Sequence, residues 1–176
     1  TTQQSILQDQ VEKFASRILK EGDNVVPGEY GVANPIPYAR LATLTQGATA
    51  EDFIGYTVTG VTSGVTAFVN FALNATEDDD ATFYVNYISS GTTGEYTTFV
   101  QGEVLESDTP NALTAVVGVD AISKPTETPA MGQGSLFTVS EGSYFIDGFA
   151  VRNEAQTITL DKYGTRPSYR VGFLVT

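Results

Sequence analysis

The sequence contains no cysteine, no histidine and no tryptophan among its 176 residues. Without cysteine, the chain can form neither a disulfide framework nor a thiolate metal site. Without histidine, it lacks the commonest general base and the commonest metal ligand, which excludes serine–histidine and cysteine–histidine catalysis and the usual zinc sites. We therefore expect this protein not to be an enzyme, and to have no catalytic residues, no metal site and no cofactor.

Long apolar runs are also absent. No stretch approaches the roughly 20 apolar residues that a membrane-spanning helix needs. The first ten residues, TTQQSILQDQ, lack the basic start and apolar block of a secretory signal peptide. The sequence has no initiator methionine and ends within a strand-like pattern at residues 172–176, so we expect it to be part of a longer chain.

Basic residues are scarce and unevenly placed. The net charge is -12. Residues 1–22 carry three acidic and three basic side chains, and residues 147–176 have a net charge of +1, so the stretch 23–146 has a net charge of -13. Such a surface repels nucleic acid and anionic membranes. We therefore expect neither nucleic acid nor a membrane as a partner.

Residues 1–22 have a helical pattern. Leu7, Val11, Phe14 and Ile18 are spaced four, three and four residues apart, which is the heptad spacing of a coiled-coil seam. Gly22 is typical of the position just after a helix end. Two interpretations remain open: an amphipathic helix packed on its own domain, or a short helical bundle between identical subunits. In the second, these four apolar residues are the oligomer interface.

After Gly22 the pattern becomes that of an all-β protein, with Thr, Val, Tyr and Phe alternating and turn residues roughly every 8–12 positions. It predicts a helical turn at 49–52, a hairpin over 56–71 and a strand at 82–88. The predicted fold class is mainly β: a heptad-type N-terminal helix, then small antiparallel β domains resembling a sandwich or barrel, in an intertwined homotrimer.

We predict three segments: an oligomerising helix at 1–22, an acidic β-rich domain at 23–128, and a C-terminal β region at 129–176 that continues in the full-length chain. The cut near residue 128 depends on residues 124–134, whose Pro- and Gly-rich composition is typical of a linker.

Three shorter stretches also carry predictions. Residues 34–38 contain two prolines and are expected to be extended but not part of a central strand, because proline removes a ladder donor. Residues 113–122 are apolar enough to be buried on both faces. Residues 169–175 read as a last strand.

The C-terminal residues resemble a known family. The order GSYFIDGF at 142–149, QTITLDKY at 156–163 and PSYRVG at 167–172 is similar to that of an uncharacterised domain family in tail and baseplate proteins of contractile-tailed bacteriophages, especially those infecting cyanobacteria. Residues 58–67 resemble a phrase common in phage fibre chains, and residues 7–23 resemble the family's helix and the passage after it. The resemblance implies a structural role in the virion and, by analogy with phage fibres, a homotrimer. It supplies no catalytic residue.

Two sets of acidic residues are candidates for chemistry. The run Glu77–Asp80 offers oxygen ligands for calcium, but the alternating acids and central glycine of an EF-hand are missing. A solvated turn that blocks edge pairing is the favoured interpretation. Glycoside hydrolysis needs two carboxylates about 5–10 Å apart, and sequence spacing selects no such pair from the 21 acids.

Aromatic and basic residues are further candidates. Tyr30, Tyr38 and Tyr96 lie in predicted loops and can stack on sugar rings, although most aromatic side chains in a β protein fill the core or an interface. Arg166 and Arg170 flank a Pro–Ser–Tyr turn. They either pair with an acidic neighbouring subunit or belong to a simple exposed turn.

These features favour a structural subunit of a bacteriophage tail or baseplate fibre, located in the virion, that attaches through its helix and extends a trimeric fibre. Its predicted partners are copies of itself and other tail or baseplate proteins. Two other functions remain open. One is a receptor-binding module that recognises a host surface glycan. The other is a polysaccharide-degrading enzyme, which the lack of histidine disfavours.

Overall fold

The computed structural model describes residues 2–92 and 94–174. They are mainly β, with antiparallel sheets, as the sequence predicts. The elements in chain order are α1 Thr2–Ile18, β1 Asn24–Val26, β2 Tyr30–Leu44, a 3-10 helix Ala50–Phe53, β3 Thr57–Gly60, β4 Thr66–Leu73, β5 Thr82–Ser89, β6 Val104–Ser107, β7 Thr114–Val117, β8 Met131–Val139, β9 Gly142–Ile146, β10 Phe149–Asn153 and β11 Gln156–Asp161.

The chain divides into two compact units. The first, here called the hairpin unit, consists of Thr1–Ala33 and Phe137–Ile158; the second, the barrel unit, consists of Asn34–Leu136 and Thr159–Thr176. The predicted segment limits at residues 22 and 128 do not coincide with this division. The chain changes unit inside β2, β8 and β11, so strand pairing between distant parts of the sequence defines the units.

The barrel unit is built around six strands that close on themselves. Their order is β2–β5–β4–β3–β6–β7, and β7 pairs with β2 as well as with β6. Every one of these six pairings is antiparallel. Closure leaves none of these six strands as a free edge, which removes the usual hazard of edge-to-edge aggregation.

Alternate side chains of the barrel strands form the core. In β5, Phe83 and Val85 are fully buried, and Phe53 of the 3-10 helix packs on Phe83 with ring centroids 4.9 Å apart. Burial of apolar surface at roughly 25 cal/mol per Å² makes this cluster the main source of stability. Its fully or nearly fully buried members are Ala39, Leu41, Ala50, Phe53, Val58, Val65, Ala67, Val69, Ala72, Ala81, Phe83, Val85, Phe99, Leu105, Ala115 and Val117.

Three local predictions in the barrel unit are confirmed. The predicted hairpin over 56–71 is the antiparallel pair β3–β4, in which Val58 lies opposite Ala67. The strand predicted at 82–88 is β5. The helical turn predicted at 49–52 begins the 3-10 helix, where the Thr49 amide and hydroxyl both donate to the Asp52 carboxylate, at 2.7 and 2.9 Å. These bonds lower the pKa of Asp52.

In the hairpin unit, β9 is the central strand of a three-stranded antiparallel sheet with β1 and β10 on its two sides. The turn from β9 to β10 is Asp147–Gly148, with φ of 48° and 87°. An Asp–Gly pair is a preferred two-residue hairpin turn, because both central residues need positive φ.

The prediction that residues 34–38 stay out of a central strand is wrong. Pro35 and Pro37 lie inside β2, which has neighbouring strands on both sides. In the registered pairs, β5 meets residues 38–40 of β2 and β7 meets residues 41–44. The two prolines precede both of these ladders, so their missing N–H groups interrupt neither.

The prediction of a linker at residues 124–134 is also wrong. Residues 131–134 belong to β8, and the backbone carbonyls of Pro125, Thr128 and Pro129 accept hydrogen bonds from the side chain of Arg40. A composition rich in Pro and Gly indicates irregular backbone but not a flexible linker. Here the irregular backbone before β8 is held by hydrogen bonds from the buried Arg40 side chain.

Two further predictions need correction. In 113–122, only residues 114–117 form a strand, and Ile122 is 70% exposed, so this stretch is not buried on both faces. Residues 169–174 form no strand, and Tyr169 and Leu174 are 71% and 87% exposed. Val175, the last residue of that predicted strand, lies outside the described residues.

Candidate functional site

The apolar residues of α1 are open to solvent. The exposed fractions of Val11, Phe14 and Ile18 are 59%, 68% and 60%. Every α1 side chain that the structure describes is exposed. Leu7 is part of the helix, but its side chain lies outside the described residues. An uncovered row of apolar side chains is unusual on a soluble chain and is typical of a docking surface.

The polar residues of α1 stabilise the helix itself. The Lys13 ammonium pairs with the Asp9 carboxylate, one turn earlier, at 2.7 Å. This hydrogen bond raises the pKa of Lys13. Both side chains are largely exposed, so water and salt screen the interaction between them. Among the α1 side chains that the structure describes, polar and apolar residues are both exposed.

The segment that follows α1 is bonded to β9 through its backbone. Gly22 N–H donates to the carbonyl of Phe145, and Phe145 N–H donates to the carbonyl of Asp23, both at 2.8 Å. Gly22 has φ of +85°, which a residue with a side chain rarely adopts. The Glu21 carboxylate also accepts the Asp147 N–H at 3.1 Å. The segment between α1 and β1 therefore has a defined position beside β9.

Arg40 lies in the barrel unit and is completely buried. Its Nε donates to Pro129 O at 3.1 Å and its Nη1 to Pro125 O at 2.9 Å, while Nη2 donates to Thr128 O. Its Cζ lies 5.4 Å from the ring centroid of Tyr163, a cation–π contact. Three carbonyls and an aromatic face thus replace the water that a buried cation loses.

Aromatic rings surround this buried cation. Tyr38 and Tyr163 meet edge to face at 5.0 Å, and the Tyr84 hydroxyl donates to Lys162 O at 3.1 Å. Burial raises the pKa of Tyr38, Tyr84 and Tyr163. The prediction that Tyr38 is a loop residue available to sugars is wrong, because this side chain is buried in β2 and its hydroxyl donates to Pro129 O.

A second buried charge, Glu103, is 4% exposed and belongs to the barrel unit. Its carboxylate accepts hydrogen bonds from the amides of Thr62, Ser63 and Val100, and from the Ser63 hydroxyl, at 2.6 to 3.1 Å. A carboxylate with this many donors joins the β3–β4 turn to the loop before β6. Its contacts are those of a structural group.

The acidic run Glu77–Asp80 is partly neutralised by its own chain. Asp79 pairs with Lys162 at 2.7 Å and accepts a hydrogen bond from the Tyr163 hydroxyl. Asp80 accepts the Lys124 N–H at 2.6 Å. Among the described residues, no group of three or more acidic side chains is placed to hold a metal ion.

Tyr30 and Tyr96 differ in their availability. Tyr30 lies in β2 and is 78% exposed, whereas Tyr96 is half-buried and packs against the barrel core. Sequence reasoning named Tyr30 without a signal that separated it from the other two tyrosines. No helix in the described part of the chain is long and apolar enough to span a bilayer.

Comparison with known proteins identifies no relative. No family model, no curated protein and no solved structure matches this chain. Any function assigned to the chain therefore depends on the residues and geometry given above.

Proposed function

We propose that this chain is a structural subunit of a bacteriophage tail or baseplate fibre, and that it assembles as a homotrimer through α1. The observation that carries the proposal is the exposure of Val11, Phe14 and Ile18, three of the four residues at heptad spacing. Leaving such side chains in water costs roughly 1.5–3 kcal/mol each relative to burial.

The spacing of these residues favours other copies of α1 as the covering surface. Apolar side chains that recur every 3.5 residues on average form a seam that the same seam on another helix can match. Charge supports the same partner. Residues 1–22 carry no net charge, whereas residues 23–146 carry a net charge of -13, so copies meet along α1 without the repulsion that opposes contact elsewhere.

The hydrogen-bonded segment after α1 supports an assembly in which the helices of different copies associate. Each helix is then followed by the β-structure of its own chain. A helix of 17 residues is too short for a stable free coiled coil, so its ordering must come partly from its attachment. The hydrogen bonds of Gly22 and Asp23 to Phe145 supply that attachment. The choice of three copies, and of a phage tail as the location, depends on the resemblance of residues 142–172.

The oligomeric state of the whole chain tests the proposal. Sedimentation velocity over a range of protein concentrations is expected to give a species of three times the 18.8 kDa of one chain. Phe14→Asp places a charge in the seam and is expected to give monomers. Ser5→Asp adds the same charge on another side of the exposed helix and is expected to leave the trimer intact.

A chain that remains monomeric at every concentration contradicts assembly through α1, as does an equal loss of association in the Phe14 and Ser5 variants.

The proposed location in the phage tail has a separate test. Gold-labelled antibodies against the chain are expected to bind the tails of phage particles that carry it, and labelling of heads alone contradicts the assignment. As a structural subunit, the purified chain is expected to release no reducing ends from host polysaccharide.

A further inference from the structure

A groove of about 430 Å³ lies in the hairpin unit. Its walls come from the start of β2, the end of β8 and the turn between β10 and β11; the lining residues are Glu29, Tyr30, Gly31, Thr138, Val139, Ser140, Ala155, Gln156 and Thr157. The volume is in the range of small-ligand sites. None of the α1 residues whose side chains are described lines this groove, so we treat binding at the groove separately from the proposed assembly.

The walls of the groove are held together before any ligand binds. Glu29 N–H donates to the Ser140 hydroxyl at 2.7 Å, and Ser140 N–H donates to the Glu29 carbonyl at 2.8 Å. Gly31 lets the strands approach, because a Cβ there would lie 3.0 Å from the Thr138 hydroxyl. A site that is already ordered loses less conformational entropy on binding.

Tyr30 offers a flat aromatic face at the groove. Tyr30 is 78% exposed, and its ring lies nearly parallel to that of Phe137, with an interplanar angle of 16° and centroids 6.5 Å apart. Phe137 does not line the groove, so it serves to fix the orientation of the Tyr30 ring. An aromatic face carries partial negative charge and attracts the polarised C–H groups on the face of a sugar ring.

Three polar groups at the groove, one of them on Tyr30 itself, are available to bind a ligand. The Glu29 carboxylate, the Tyr30 hydroxyl and the Gln156 amide make no hydrogen bond within the part of the chain that the structure describes. Carboxylate and amide groups are planar and present two polar atoms side by side. That spacing suits the adjacent hydroxyl groups of a pyranose, which donate and accept together.

The charge of the groove selects among ligands. None of its lining residues is basic, and Glu29 adds a negative charge. Phosphate, sulfate and uronate groups are therefore repelled. A fully apolar ligand would remove the Glu29 carboxylate from water without giving it a partner, which is costly. A ligand with an apolar face, many hydroxyl groups and no charge fits the groove best.

We infer that this groove binds a neutral saccharide, with one pyranose ring on the face of Tyr30 and its hydroxyl groups bonded to Glu29 and Gln156.

A second cavity, in the barrel unit, serves as a control for this site. In the barrel unit, Tyr56 lines a cavity of about 410 Å³ in which the one acidic residue, Asp52, already caps the 3-10 helix. Tyr56 is therefore a tyrosine in a cavity of similar size without a free carboxylate.

Saturation-transfer NMR with maltotriose, mannotriose and triacetylchitotriose tests the inference on the whole chain. At least one of the three is expected to bind with a dissociation constant of about 1 mM, with the strongest transfer to protons on one ring face. Tyr30→Ala is expected to weaken binding about tenfold, and Tyr30→Phe threefold or less, because the stacking surface remains. Glu29→Gln is expected to weaken binding while keeping the transfer to the ring face.

Several outcomes overturn the inference. These are the absence of binding by all three saccharides to folded protein, tighter binding of a heparin fragment or an oligolysine peptide than of any neutral saccharide, and equal losses in Tyr30→Ala and Tyr56→Ala. Circular dichroism checks that each variant is folded. Phe14→Asp is expected to bind saccharide normally, so failure of the assembly proposal and failure of this inference are distinguishable.

Discussion

At the scale of single residues, Arg40 joins β2 to the irregular segment before β8. It is one of only two basic residues between positions 23 and 146, and it is fully buried with its charge shared among three carbonyl groups and the face of Tyr163. The rigid fork of the guanidinium lets one side chain reach three acceptors at different angles, which a lysine cannot do.

Replacement of Arg40 by lysine is therefore expected to lower the free energy of unfolding by about 2–4 kcal/mol, because at least one buried carbonyl loses its donor. Urea denaturation followed by circular dichroism measures this change. Arg152→Lys is the matched control. The Arg152 side chain is 81% exposed in a loose 3.7 Å ion pair with Glu141, so its replacement is expected to change stability by less than about 0.5 kcal/mol. Equal effects at the two sites would contradict the structural role of Arg40.

At the scale of elements, two glycines allow β9 to approach the chain before β2. A Cβ on Gly142 would lie 2.8 Å from both the nitrogen and the Cα of Gly28, which are backbone atoms that cannot move aside cheaply. This close approach connects β9, which holds the end of α1, with the residues that lead into the groove.

Gly142→Ala is consequently expected to destabilise the hairpin unit by about 1–3 kcal/mol, the usual cost of overpacking. Hydrogen exchange of the β9 and β10 amides is expected to become faster, and saccharide binding at the groove weaker. Gly172→Ala provides the comparison, because nothing lies within 4 Å of a Cβ at Gly172 and its φ is not positive. Unchanged exchange in β9 after the Gly142 replacement would be inconsistent with this packing.

The sequence predicts elements better than it predicts the groups that fix them. The alternation of side chains in β5 is visible because it is local, and this strand lies where the sequence predicts it. The position of β2 was missed because proline rules apply to ladder positions, and the sequence does not say which residues of a strand lie on a ladder.

The contacts of Arg40 and the groove at Tyr30 were missed for a related reason. Arg40 bonds to residues more than 80 positions away, and the groove joins residues near 30, 139 and 156. No local sequence pattern predicts contacts between residues that are so far apart in the chain. What the sequence did supply was a set of three candidate tyrosines, of which Tyr30 is exposed on a groove.

At the scale of the whole molecule, the net charge of -12 opposes association of copies, while the neutral helix permits it. Added salt screens the repulsion over a distance of about 8–10 Å at physiological ionic strength, and it leaves burial of the apolar seam intact. The proposed trimer is expected to dissociate at a lower protein concentration in about 0.5 M sodium chloride than in about 0.02 M. Sedimentation velocity at the two salt concentrations measures the shift, and tighter association at low salt would contradict an apolar interface.

The attachment of α1 to β9 also determines how a pull on the helix is resisted. Tension applied to α1 reaches β9 at Phe145, whose carbonyl and amide hold Gly22 and Asp23. Beyond Asp23 the chain continues directly into β1, which pairs with β9 at the edge of the three-stranded sheet. The hydrogen bonds to Phe145 and the β1–β9 ladder therefore resist the pull together, and both must break before this part of the chain is drawn away from β9.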